Sequence, residues 1–172
     1  MFSQTSYEDV KGLVHGALDK DSGVPVSSLA EQLNLTEGEV TFALPSDQVA
    51  IAKGSHTESI LQLLPEWGPV TTIVHSFGSI FEFKNPFPKG KVSHGYYNIM
   101  GKEGLHGHLL IDAIEHVAFV SKPFRGMESH YIGFFDTKGH CVFKVYVGRD
   151  KARVLLSEQV TAFQQLKGRL AE

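Results

Sequence analysis

The stretch Ser129-His130-Tyr131-Ile132-Gly133-Phe134-Phe135-Asp136-Thr137-Lys138-Gly139-His140-Cys141-Val142-Phe143-Lys144-Val145-Tyr146-Val147 decides the fold. Two runs rich in β-branched and aromatic residues flank Thr137-Lys138-Gly139, where glycine tolerates the positive φ of a tight hairpin turn. Strands joined in this way lie antiparallel. The same pattern runs back toward the amino terminus. Val70 to Phe77, Ser79 to Phe83, Val92 to Met100, Leu105 to Ile111 and Glu115 to Ser121 are each bounded by Gly, Pro or Asp. Met100-Gly101-Lys102-Glu103-Gly104 supplies another hairpin turn. Consecutive short strands with tight turns predict an antiparallel sheet, curled or doubled to cover its apolar face.

Outward from that body the pattern changes. Of twelve phenylalanines only Phe2 and Phe42 precede Pro65, and the apolar spacing there is helical. Ser6 is placed to cap a helix reaching Leu18, with Val10, Leu13, Val14 and Leu18 on one face. Pro25 to Leu33 predicts a second helix, and a third follows Thr36 and stops before Pro45. Ile60, Leu61 and Leu64 mark a fourth between His56 and Leu64. Val160, Phe163, Leu166 and Leu170 form the stripe of a last one, Leu156 to Leu170. The class is α+β, with residues 1–65 a helical region and 66–172 a β-rich body with a terminal helix, forming one compact unit.

Composition narrows the function. At 172 residues and 19.0 kDa, with 42% hydrophobic and 20% charged residues, the chain can bury a sizeable core. A net charge of -3 and a pI near 6.3 give no general attraction to nucleic acid or to an anionic membrane. The one cysteine, Cys141, excludes an intrachain disulfide framework and a zinc site built on several thiolates. It alternates with Phe143, Val145 and Val147, which predicts a small core residue. No basic segment followed by an apolar one opens the chain, and Ile73 to Phe83 is interrupted by polar residues. These features favour a reducing, cytoplasmic setting without a membrane. Val26 to Val40 has the outline of a helix-turn-helix, but its second helix offers Glu37, Glu39 and Thr41 with no basic residue, which argues for a plain helix corner. Ser3, Ser27 and Ser28 lack a nucleophile elbow, and no glycine-rich phosphate loop is present.

Histidine carries the remaining information. Of nine, His75, His94, His106, His108, His116, His130 and His140 fall in the β body. In His106-Gly107-His108 both imidazoles project from one strand face, while Leu105, Leu109 and Ile111 face the core. Two surface histidines alternating with core leucines explain the pattern better than metal ligation does. Asp112 lies too far along to share an ion with them, and no His-Glu-x-x-His motif exists. The preceding His94-Gly95-Tyr96-Tyr97-Asn98 brings a tyrosine to His108. A symmetric four-residue turn sets Tyr97 opposite His108, whereas matching the polar faces sets Tyr96 there and is the favoured register. His75 shares a face with Ile73 and Phe77, and is either a satisfied core residue or a donor lining an apolar cleft.

Trp67-Gly68-Pro69-Val70-Thr71-Thr72-Ile73-Val74-His75, Phe81-Glu82-Phe83, Gly95-Tyr96-Tyr97-Asn98, Gly107-His108-Leu109 and Phe143-Lys144-Val145-Tyr146-Val147-Gly148-Arg149-Asp150 together resemble the intracellular haem-utilisation carriers of the HutX/ChuX type. The resemblance implies a split-barrel-like fold related to one repeat of the larger HemS/ChuS proteins. It also implies a cytoplasmic homodimer that binds haem and passes it to a haem-degrading or storing partner, without being an enzyme itself. By motif, His75 and His108 match the histidines near haem, and Tyr96 or Tyr97 the candidate phenolate ligand. His and Tyr are both haem-iron ligands, the anionic phenolate suiting ferric iron. Asn98, Lys144 or Arg149 are candidates for a polar rim. A haem-degrading enzyme and, more remotely, a haem-responsive DNA-binding regulator are the alternatives.

Overall fold

The computed structural model describes residues 6–172, so Ser3 lies outside it. Three helices open the described chain: α1 (Tyr7–Lys20), α2 (Val26–Leu33) and α3 (Glu37–Phe42). Their ends follow from local chemistry. Ser6 Oγ accepts the Asp9 N–H at 3.2 Å, satisfying a donor that the first turn leaves open. Thr36 and Glu39 form a reciprocal capping box, with Glu39 Oε2 accepting the Thr36 N–H at 2.7 Å. Asn34 ends α2 in the left-handed conformation.

Nine strands follow, β1 (Val49–Lys53), β2 (Pro69–Ser76), β3 (Ser79–Pro86), β4 (Gly90–Ser93), β5 (Tyr96–Met100), β6 (His106–Leu109), β7 (Ile114–Ser121), β8 (His130–Asp136) and β9 (Cys141–Tyr146). Helix α4 (Thr57–Leu63) lies between β1 and β2, and α5 (Ser157–Leu170) closes the chain. The strands form a six-stranded antiparallel sheet, β1-β7-β8-β9-β2-β3, and a three-stranded one, β4-β5-β6. This is the expected α+β class with a divided antiparallel body.

The inner strands of the large sheet are covered on both faces. From His130 to Phe135 every residue of β8 is buried, because β8 is an inner strand with cover above and below. Val117, Phe119, Ile132, Phe134 and Val145 share a core with α4, α5 and the inner face of the small sheet, whose Tyr97, Ile99 and Leu109 join it. On the opposite face Ala118, Val120, Tyr131 and Phe135 carry the helical region through Val10, Val14, Leu29 and Val40.

Four details depart from the sequence expectations. Strand β1 was not anticipated; its five residues pair with β7 from within the amino-terminal region, a segment too short to show clear alternation. The expected strand Val92 to Met100 is two strands, split where His94 (φ 56°) and Gly95 (φ 80°) form a tight turn. The expected Leu105 to Ile111 strand is shortened to β6, because Ile111 to Ala113 turns as a 3-10 helix. Cys141 does not share the face of Phe143 and Val145. An irregularity in the β8–β9 ladder pairs it with Phe135 and turns it toward the helical region, where burial pushes its thiol pKa up.

Helix α5 is tied to the sheet by one buried side chain. Gln159 Oε1 accepts the Gly148 N–H at 2.7 Å, and its Nε2 donates to the carbonyls of Trp67 at 2.8 Å and Pro69 at 2.7 Å. Leucine has a similar volume but would leave all three backbone groups unpaired. Gln159→Leu is therefore expected to cost about 2–4 kcal/mol, read as a lowered midpoint in urea unfolding. Wild-type stability of that variant would show that the bridge contributes little.

Candidate functional site

The register fixes which side chains share the face that the helices cover. Tyr131 pairs with Tyr146, Ile73 with Lys144 and Glu82, and His75 with Ile80. Alternation then places His75, Ile73, Ile80, Glu82, Lys144, Tyr146 and Tyr131 on one surface. The helical region covers only part of it. Beyond the start of α2 a cleft of about 460 Å³ remains, walled by those strand residues on one side. Its other boundaries are Pro25 to Ser28 at the amino end of α2, and Lys122 to Arg125 at the end of β7.

Charge in the cleft is arranged unevenly. Lys144 is 4% exposed and forms an ion pair with Glu37 of α3, and its ammonium lies 5.1 Å from the Tyr131 ring centroid. Burial works against that charge, but Tyr131 and Glu37 more than offset it and hold the lysine pKa above its ordinary value. Lys122, also buried, donates to the carbonyls of Val24 at 2.7 Å and Ser22 at 3.1 Å. Its pKa is lowered by burial. Arg125 stands over the Phe124 ring at the rim. The first turn of α2 has no side-chain cap, so its N–H groups are available to an anion. The Tyr131 hydroxyl is buried without a hydrogen-bond partner.

His75 lies on the wall of this cleft, half-buried. Burial lowers its pKa, the nearby Lys144 ammonium lowers it further, and Glu37 opposes them without reversing the shift. The net effect disfavours imidazolium, so the neutral ring, with one bare nitrogen, predominates at pH 7.

His108, Tyr96 and His106 lie elsewhere. They share the outward face of the small sheet, while Tyr97 is fully buried beneath it with an unpartnered hydroxyl. The Tyr96 and His108 ring centroids are 6.1 Å apart and those of His106 and His108 6.2 Å, both edge-to-face. Neither expected register is observed. Asn98 is opposite His108, and Met100 opposite His106. The β5–β6 loop has five residues rather than four because Leu105 joins it; its carbonyl lies where a Cβ on Gly101 would be. The resulting slip keeps Tyr96 on the His108 face and sends Tyr97 to the core, so polar-face matching predicts the faces but not the partner. Among the described residues, none of β4, β5 or β6 lines the cleft.

Sequence reading missed Lys122 and Tyr131 at the cleft, and Glu37 as the ion-pair partner of Lys144. Lys144 alone carried a signal, as a charge inside an apolar strand. Arg149 does not reach the cleft: it donates to the carbonyls of Glu128 and Arg153, bracing the loop after β9. Buried His130 is bonded to Ser121 and Glu128, each at 2.8 Å, as a satisfied core histidine would be.

A family model described as haem utilisation ChuX/HutX matches residues 50–166, which span both sheets and most of α5. The chain belongs to the ChuX/HutX family. It is 52% identical over 165 residues, covering 95% of itself and 86% of the relative, to a Vibrio cholerae protein described as intracellular heme transport protein HutX. A solved structure described as the heme binding protein ChuX has a TM-score of 0.82 and 35% identity, over 91% of this chain and 97% of that one. The Escherichia coli O157:H7 heme degrading enzyme ChuS shares only the fold. It has a TM-score of 0.78 at 18% identity, and this chain covers 48% of its length. This ChuX/HutX chain thus spans about half the length of ChuS.

The neutral state of His75 is testable. Lys144→Met removes a nearby cation and leaves Glu37 unbalanced, and both changes favour imidazolium. The His75 midpoint in a proton NMR titration should lie below the ordinary histidine value in the wild type and move upward in the variant. An equal or lower midpoint in Lys144→Met would contradict this assignment.

Proposed function

We propose that this chain is a cytoplasmic haem carrier that accepts haem in the cleft beside His75 and releases it to a haem-degrading or storing partner. The observation that carries this reading is the cleft itself, a pocket of ligand size with one neutral imidazole on an apolar wall and cations at its inner end. A porphyrin needs such an apolar slot, an axial donor for iron and a positive region for its two propionates. His75 supplies the donor. Lys122, Arg125 and the open first turn of α2 suit the carboxylates, and the orphan Tyr131 hydroxyl is available to a ligand oxygen.

A second donor set on the outer face of the small sheet favours assembly as a homodimer. His108 and Tyr96 are exposed, and so are Phe77, Ile80 and Phe81 on the β2–β3 hairpin. Such apolar surface on an edge strand is a liability that a second copy relieves. In this arrangement one protomer's His75 and another's His108 and Tyr96 face opposite sides of the porphyrin.

Carriage is favoured over degradation because the relative at 52% identity is described as a transport protein, whereas likeness to the degrading enzyme extends to fold alone. A DNA-regulator role is disfavoured by α3, whose Gly38 to Thr41 are buried and so cannot reach a groove.

Haem titration followed by absorbance and elution volume tests the reading. A saturable Soret shift at one haem per protomer is expected, with loss or displacement of the shift in His75→Ala and a spectral change in Tyr96→Phe and His108→Ala. Mixing the His75→Ala and His108→Ala proteins should restore one native site per mixed dimer; no restoration would exclude a shared site. Conversion of haem to a linear tetrapyrrole on adding reductant under oxygen would establish the enzyme instead.

A further inference from the structure

Asn98 occupies the position directly across from His108 in the β5–β6 ladder. Its Oδ1 is 2.7 Å from His108 Nδ1. Its amide nitrogen faces three backbone carbonyls, those of Lys91 at 3.2 Å, Ser93 at 3.1 Å and Tyr96 at 3.2 Å. Carbonyl oxygens only accept, so the amide end turned toward them must be the NH2 group. The end left for His108 is then the oxygen, which also only accepts. His108 Nδ1 must therefore carry the hydrogen, and in a neutral imidazole Nε2 is left bare.

The backbone makes this orientation obligatory. Ser93 and Tyr96 stand on either side of the His94-Gly95 turn, and its positive φ angles aim their carbonyls into the space that Asn98 fills. His106, two residues away on the same face, has no such tether among the described residues. The His-Gly-His repeat is thus chemically unequal: one imidazole is held with a lone pair presented outward, and the other is held only by ring contact. Hydrogen bonds of this kind, made to the nitrogen that does not ligate, fix ring orientation and raise donor strength in metal sites.

We infer that Asn98 is a positioning residue that locks His108 in the Nδ1–H tautomer, presenting Nε2 to haem iron and selecting His108 over His106. The inference rests on the reading of His108 as a haem donor. Removing the tether lets the ring adopt either tautomer and rotate, so haem binding weakens although no ligand is lost.

Long-range proton–nitrogen NMR of the haem-free protein reads the tautomer without any variant. The expected result is a protonated Nδ1 and a bare Nε2 at His108; a protonated Nε2 would overturn the inference. Asn98→Ala should yield a tautomer mixture and haem affinity lower by about tenfold or more. Because Asn98 also braces the hairpin, the backbone amide spectrum of Asn98→Ala is compared with that of the wild type. An intact hairpin with a mixed tautomer and weakened binding is the expected result. If the affinity falls while His108 keeps its Nδ1–H tautomer, the brace rather than the tautomer matters and the inference falls. If His108→Ala weakens haem binding but Asn98→Ala does not, the positioning role alone fails. If His108→Ala itself binds haem normally, the reading of His108 as a donor fails first and the positioning role with it.

Discussion

An ammonium group buried in a β-sheet is tolerated only where something of opposite charge is buried with it. Lys144 meets that condition through Glu37, and much of the molecule is arranged around the pair. Glu37 opens α3, whose capping box fixes the helix start and whose Gly38 N–H donates to the Gly139 carbonyl at the β8–β9 turn, 2.8 Å away. The ion pair and this hydrogen bond hold the helical region on the sheet at two points, one on β9 and one at the β8–β9 turn. Lys122, reaching the carbonyls of Ser22 and Val24, holds it at a third. The helices therefore cannot slide outward to cover the rest of the sheet face. What they leave uncovered is the cleft, where burial lowers the His75 pKa and the ammonium that fastens the helices lowers it further, against an opposing effect of Glu37.

The division into two sheets follows from how each apolar face is hidden. Strands β4 to β6 turn Tyr97, Ile99 and Leu109 inward to complete the core beneath the large sheet, which leaves the alternate residues facing out. Those alternates are Tyr96, Asn98, Met100, His106 and His108. A donor-rich outer face is thus the geometric consequence of a well-packed inner one. It also sets that face apart from the cleft, which no described residue of β4, β5 or β6 lines. In the homodimer proposed above, a site shared between two copies can open without unfolding either, a property suited to a carrier.

The strands and their faces were legible because their alternation is strong and their turns carry glycine. Periodicity also gave α1, α4 and α5 to within a few residues. Legibility failed where a single inserted residue changes the outcome. The extra loop residue before β6 shifts the partner of His108 from tyrosine to Asn98 while preserving every face, because a two-residue slip from the polar-matched pairing is invisible to a period of two. The irregularity beside Phe135 moved Cys141 to the other face for the same kind of reason. The cleft was legible only as a possibility at His75. Its remaining walls come from α2 and from the segment after β7, brought together by long-range packing that no local pattern records.

The two imidazoles proposed as haem donors are prepared by different means. His75 has the apolar wall and the Lys144 ammonium to disfavour protonation, an effect of environment that requires burial. His108 is exposed and has no such environment, so an amide whose own orientation is dictated by three carbonyls assigns its hydrogen instead. Burial protects a donor but makes it slow to approach; a hydrogen-bonded donor on an open face is accessible at once but must be held against rotation. A carrier needs one of each, a sheltered side that retains the ligand and an open side where exchange begins.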